Sequence, residues 1–163
     1  MRILLVEDDQ KIAKAMRRVL ESKALVTHCS SLGEVRVADV SQVSAVVVDL
    51  GLPDSQGLST LDAVRALLPN DVAIVVFTGR AELGEQAMER GAHDYLVKAD
   101  STPLDLPDAL LEALGRKKLA SAMANVTKPT KGGRKSTNMA LSREVPKTMI
   151  ALGQHLQLLA TES

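Results

Sequence analysis

Apolar residues along this chain come in short continuous runs. Between the runs they recur every three or four positions, so the periods of buried strand and amphipathic helix alternate. Ile3 to Val6 is the first run, and Ile12, Met16, Val19 and Leu20 follow at helical spacing among charged residues. A second strand pattern from about Ala24 to His28 leads into a weak helix near Leu32 to Val40. Val46-Val47-Val48 closes on Asp49, and Leu58, Leu61, Val64 and Leu68 mark the next helix. Pro69-Asn70-Asp71 interrupts the chain before a fourth run, Val72 to Phe77. Ala81 to Arg90 reads as a helix stopped by Gly91. Tyr95-Leu96-Val97 is the fifth run, and Leu106, Leu110 and Leu114 mark a fifth helix. Strand and helix alternating in this way predict an α/β, doubly wound fold. Its five-stranded parallel sheet carries helices on both faces, with right-handed crossovers. There is no solenoid-type repeat.

The residues that close the apolar runs carry the candidate chemistry. The first run ends in Glu7-Asp8-Asp9, the third in Asp49, the fourth in Thr78-Gly79 and the fifth in Lys98. A parallel sheet brings these endings to its carboxyl edge, where open α/β folds place their ligands. Clustered acids suit a hard cation such as Mg²⁺, which takes oxygen ligands. A hydroxyl and an ammonium beside them suit the oxygens of a phosphoryl group. A single strand-end Asp is ordinarily a cap or turn former; complementary groups on four strand ends are harder to assign to turns alone. Gly51 after Asp49 gives the backbone freedom to turn a carbonyl toward a metal. Gly79 keeps the space beside Thr78 open, and Gly57 reads as a turn residue. His28 and His93 lack metal-ligand spacing and read as packing or surface residues.

At these residues the chain resembles the receiver domain of two-component response regulators. The motifs are Val-Glu-Asp-Asp at 6–9, Asp-Leu-Gly-Leu-Pro-Asp-Ser-Gln-Gly at 49–57, Thr-Gly at 78–79 and Gly-Ala-His-Asp-Tyr-Leu-Val-Lys at 91–98. They stand in the family's order over about the first 120 residues. The resemblance implies a flavodoxin-like receiver fold and a phosphoryl group accepted on Asp49 from a sensor histidine kinase or phosphotransfer protein. It implies Mg²⁺ held by Glu7, Asp8, Asp49 and the carbonyl of Gly51. It also implies Thr78 and Lys98 as contacts to the phosphoryl group, and Tyr95 as the aromatic that moves inward with Thr78. Three acids follow Val6, so spacing alone also allows Asp8 and Asp9 as the metal pair; the motif register favours Glu7 and Asp8. Ala99 follows Lys98 where the family often has a proline in a cis bond, which leaves the geometry of that bond open.

Composition narrows the remaining classes. Twenty basic and twenty acidic residues give no net charge, so no global field draws the molecule to nucleic acid or membrane. A single cysteine, Cys29, excludes an intramolecular disulfide and fits core packing in a reducing compartment. No run approaches a bilayer span and no secretory leader pattern opens the sequence, so a cytoplasmic location is expected. Residues 1–120 are expected to form the receiver, 121–141 a flexible basic linker and 142–163 a short amphipathic helical tail. In that tail Val145, Met149, Leu152, Leu156 and Leu159 form a heptad-like seam suited to dimerisation or docking, beside which His155 reads as a surface residue. The basic linker lacks aromatic residues for stacking on bases, and no DNA-binding domain is recognisable after residue 120. A Mg²⁺-dependent phosphohydrolase of the haloacid dehalogenase type is the rival from another class. It needs an Asp-x-Asp motif and a later acid pair, whereas Gly51 stands two residues after Asp49 and residues 98–104 hold only Asp100. A third reading is a receiver-like docking module that is never phosphorylated. The expected role is a signalling switch rather than an enzyme, with slow self-dephosphorylation.

Overall fold

Alternate residues of the central strands point to opposite faces, and on both faces they are apolar. The structure, a computed structural model, describes residues 1–127. Strands β1 (Arg2–Val6), β2 (Leu25–Cys29) and β3 (Ala45–Asp49) precede a two-residue pair, β4 (Gly51–Leu52) and β5 (Ser55–Gln56); β6 (Ala73–Thr78) and β7 (Asp94–Val97) complete the set. The helices are α1 (Gln10–Leu20), α2 (Leu32–Val37), α3 (Leu58–Leu67), α4 (Ala81–Glu89) and α5 (Leu106–Thr127), with a 3₁₀ turn at Pro103–Asp105. The main sheet is parallel throughout, in the order β2-β1-β3-β6-β7.

Leu4, Val6, Val46, Val48, Ile74 and Val76 face one layer with Leu61 and Val64 of α3 and Ala87 of α4. Ile3, Leu5, Val47, Val75 and Phe77 face the other, with Met16 of α1 and Leu106 and Leu110 of α5. Covering both faces is why these strands read as continuous apolar runs rather than alternating ones. The register pairs Val6 with Val48 and Asp49 with Phe77, so β1, β3 and β6 end nearly level. That alignment makes one edge out of separate strand ends.

Local signals set the element ends. Asp9 caps α1, its Oδ1 accepting from Lys11 N at 2.9 Å and Ile12 N at 3.1 Å. Gly57 at φ +70° enters α3, and Gly91 at φ +98° leaves α4, conformations that strain a residue with a Cβ. The second helix is shorter than its sequence suggested. It stops at Val37, which is 86% exposed, and Ala38 is already extended, so Ala38 and Val40 pack against the core from outside the helix. The fifth helix continues through 121–127, residues expected to be linker. Ala122, Met123 and Ala124 favour helix there, and neither proline nor glycine interrupts it. The rest of the expected linker, the amphipathic tail and His155 lie outside the described residues. Cys29 is buried, as expected. Among the described residues no helix is long and apolar enough to cross a membrane.

Burial predicts a sharp contrast between two leucines. Leu61 is wholly buried under the sheet whereas Leu25 is 66% exposed. Leu61→Ala should cost about 2–5 kcal/mol in urea denaturation, and Leu25→Ala should stay within about 0.5 kcal/mol of the parent.

Candidate functional site

Strand ends β1, β3 and β6 and the residue after β7 bring Glu7, Asp49, Thr78 and Lys98 to one cleft, with Asp8, Gly51, Gln56 and Gly79 also lining it. Glu7, Asp49 and Thr78 are buried at 1%, 5% and 2% exposure, while Asp8 is exposed. Lys98 Nζ lies 2.9 Å from Asp49 Oδ2 and 3.5 Å from Glu7 Oε2. It also stands 5.4 Å from the Phe77 ring centroid, which adds a cation–π attraction beneath the ammonium. The backbone N–H of Lys98 donates to Thr78 O at 2.8 Å, which ties the two strand ends together. The peptide bond after Lys98 is trans.

Charge is unevenly compensated here. Burial pushes the Glu7 carboxyl up to about 7, and the neighbouring Asp49 charge adds to the rise; the Asp9 N–H and Lys98 only partly oppose it. Burial also works against the Lys98 ammonium, but the hydrogen bond and charge of Asp49, with the charge of Glu7, outweigh it and hold its pKa above the ordinary lysine value. Glu7 Oε1 accepts from Asp9 N at 3.1 Å, whereas Oε2 is buried with no hydrogen-bond partner. Lys98 is near enough to Oε2 for an ion pair but too far for a well-formed hydrogen bond.

That orphaned oxygen bears on metal binding. Glu7, Asp8 and Asp49 each offer a carboxylate oxygen, all within 4.8 Å of one another. The donor set is all oxygen and hard, and a cation there would give Oε2 a partner and offset three acids facing one lysine. The residues therefore fit Mg²⁺. Asp9 stands apart from this cluster, because its side chain is committed to capping α1.

The segment after Asp49 holds its own shape. Gly51 N donates to Asp49 Oδ1 at 3.0 Å, and Gly57 N donates to Leu50 O at 2.7 Å. Between them β4 and β5 pair antiparallel, Gly51 opposite Gln56. Ser55 Oγ and Thr60 Oγ1, 2.8 Å apart, fasten this hairpin to α3. Asp54 fastens it to α2, accepting from Leu32 N at 3.0 Å and Gly33 N at 2.9 Å; these bonds hold its carboxyl below the usual range. The sequence showed only a turn here. The Gly-Leu-Pro-Asp run signals a reversal, but neither the Asp54 cap nor the place of Gln56 in the cleft leaves a periodic trace.

The other expected residues divide cleanly. Tyr95, on β7, is half-buried and its ring packs directly over Gly84 of α4, where a Cβ would collide with it. His28 Nε2 donates to Glu7 O at 2.8 Å, and His93 Nδ1 accepts from Ile74 N at 3.0 Å, so both serve the scaffold. A Cβ at Gly79 would meet nothing within 4 Å, which makes that glycine an opening rather than a packing necessity.

Comparisons with known proteins bear on the family and the fold. The family profile described as "Response regulator receiver domain" matches residues 3–110. The transcriptional regulatory protein PrrA of Mycobacterium tuberculosis is 32% identical over 101 residues, covering 60% of this chain and 43% of that protein. The cell cycle transcriptional regulator CtrA of Caulobacter vibrioides is 30% identical over 102 residues, covering 60% of this chain and 44% of the relative. This chain thus spans less than half the length of these two curated relatives. A crystal structure of a response regulator receiver domain protein from Clostridium thermocellum superposes with a TM-score of 0.61 at 28% identity, covering 73% of this chain and 98% of that one.

The raised Glu7 carboxyl gives stability a pH dependence in metal-free buffer. Glu7 ionises less readily folded than unfolded, so its contribution is full below about pH 4.5 and declines as pH rises toward about 7. Glu7→Gln, which cannot ionise, should gain on the parent by about 2–3 kcal/mol across that window. Urea denaturation with a chelator present checks this; a constant difference between the two proteins would contradict it.

Proposed function

This chain belongs to the response regulator receiver family, and on that premise we propose that Asp49 accepts a phosphoryl group from the phosphohistidine of a sensor kinase or phosphotransfer protein. Receiver domains are signalling domains, and the family match lends no support to a haloacid dehalogenase-type phosphohydrolase. The observation that carries the proposal is the placing of a buried strand-end carboxylate against Lys98 and beside two further acids. A lone buried aspartate would not need that company.

Each group has a distinct task in this reading. Glu7, Asp8, Asp49 and the Gly51 carbonyl would hold Mg²⁺; the Asp9 side chain, occupied in capping α1, favours that pair over Asp8 and Asp9. When bound, the ion supplies positive charge that offsets repulsion between the carboxylate and the incoming phosphoryl oxygens. Lys98 adds its ammonium from the other side, already aimed at Asp49 Oδ2. Thr78 offers its hydroxyl, which now accepts from Arg80 N at 3.2 Å and is otherwise available as a donor. Little covalent chemistry is left for the protein beyond positioning and charge stabilisation.

Phosphorylation adds charge and three acceptor oxygens at this edge. Thr78 moving toward those oxygens would vacate space beside β7, and Tyr95 is the ring placed to take it. Its present seat over Gly84 ties that motion to α4, giving a local event a surface readout. Dimerisation or docking through residues 142–163 stays part of the proposal.

Two sets of variants test the roles. Asp49→Asn should take up no label from acetyl phosphate with Mg²⁺; full labelling of that variant elsewhere would remove Asp49 as acceptor. Asp8→Asn should weaken Mg²⁺ binding to the unphosphorylated protein, while Lys98→Ala should leave it unchanged or tighter yet impair phosphorylation. Equal losses of Mg²⁺ affinity in a titration would contradict the division.

A further inference from the structure

Gly51 leaves a gap in the wall of the cleft, and Gln56 reaches across it. The two residues are opposite one another in the β4–β5 pair, so their side-chain positions share a face. A Cβ at Gly51 would lie 3.8 Å from Asp49 Oδ1 and 3.8 Å from Gln56 Oε1. The carboxamide thus overlooks the acceptor carboxylate across the space a side chain at 51 would fill. Its orientation is fixed as well as its place. Nε2 donates to Leu52 O at 2.6 Å, and the reverse assignment would set two acceptor oxygens against each other. Oε1 is therefore the end presented to the cleft, and no hydrogen bond from a described residue occupies it. Across the opening, Gly79 contributes no side chain, so water can enter.

We infer that Gln56 is a water-positioning residue that sets the lifetime of phosphorylated Asp49. The inference rests on the phosphoacceptor reading above and adds a clock to it. A water held by Oε1 donates one hydrogen to it and turns a lone pair toward phosphorus. The water oxygen bonds to phosphorus as the bond from phosphorus to the Asp49 carboxylate oxygen breaks, and that electron pair returns to the carboxylate. One proton stays on the departing phosphate and the other passes to solvent. A carboxamide is not a base, so Gln56 orients the water without taking its proton. The tether to Leu52 O matters because a freely rotating carboxamide would lose that alignment.

The test loads the full chain from radiolabelled acetyl phosphate with Mg²⁺, removes the donor and follows loss of label from wild type, Gln56→Ala and Gln56→Met. Methionine keeps the length of the side chain but removes the acceptor. Both variants should hold the label about tenfold longer, the worth of one well-placed hydrogen bond. Cleavage by hydroxylamine, which attacks the acyl carbon and not phosphorus, should keep its wild-type rate. A shorter lifetime in Gln56→Ala would overturn the inference, because Gln56 would then be a shield against water. Lifetimes equal to wild type would overturn it too, and so would equal slowing of the hydroxylamine reaction, the mark of general distortion. A wild type that never takes up label fails the phosphoacceptor reading and this inference with it; a wild type that loads, with variants decaying at its rate, fails this inference alone.

Discussion

Two carboxylates, Glu7 and Asp49, share one ammonium, Lys98, at an edge where burial removes most of the water that would otherwise screen them. Left alone, such an arrangement is costly, since each buried charge loses hydration and the two acids repel. The sheet bears that cost. Valines and leucines on both faces of β1, β3 and β6 are almost entirely buried, and their ladder fixes the strand ends to within one register step. The acids cannot drift apart without breaking that packing. The cleft is therefore strained electrostatically and rigid mechanically, a combination suited to gaining a cation and a phosphoryl group in turn.

The same rigidity divides labour around the cleft. Residues that carry charge sit on strand ends, where the backbone cannot yield. Residues that shape access sit on the 51–57 segment, whose form depends on side-chain fastenings to α2 and α3 rather than on the sheet. Changes of rate can thus arise in the hairpin while the charged centre stays intact. Asp54 illustrates the point: it never faces the cleft chemistry, yet its two N–H acceptances hold the loop that places Gly51 and Gln56.

Most of the architecture was legible in the chain because doubly covered parallel strands write themselves as apolar runs, and four of the five runs end at the cleft. The meeting of Asp49, Thr78 and Lys98 in one cleft was readable for that reason. Spacing alone left Glu7 and Asp9 both open beside Asp8, with the motif register favouring Glu7; the Asp9 carboxylate caps α1 through Lys11 N and Ile12 N, while Glu7 clusters with Asp8 and Asp49. The β4–β5 pair was invisible because two-residue strands are too short to show any period. Helix α2 was overextended because Val37 and Val40 look like core residues in sequence, although Val37 lies in solvent. The far end of α5 was taken for linker because the chain on either side of it is basic, yet residues 121–127 themselves carry alanine and methionine, good helix formers, and no glycine or proline. Gly84 gave no sign of its role, since its meaning lies wholly in the Tyr95 ring above it.

That ring has a further property set by composition. The chain contains one tyrosine, one phenylalanine and no tryptophan. Phenylalanine is a weak chromophore, so almost all near-ultraviolet absorption and intrinsic emission of this protein come from Tyr95. The residue proposed as the switch ring is also the chain's only strong natural fluorophore. No dye or engineered probe is needed to follow the surroundings of this ring, and no second tyrosine or tryptophan blurs the signal.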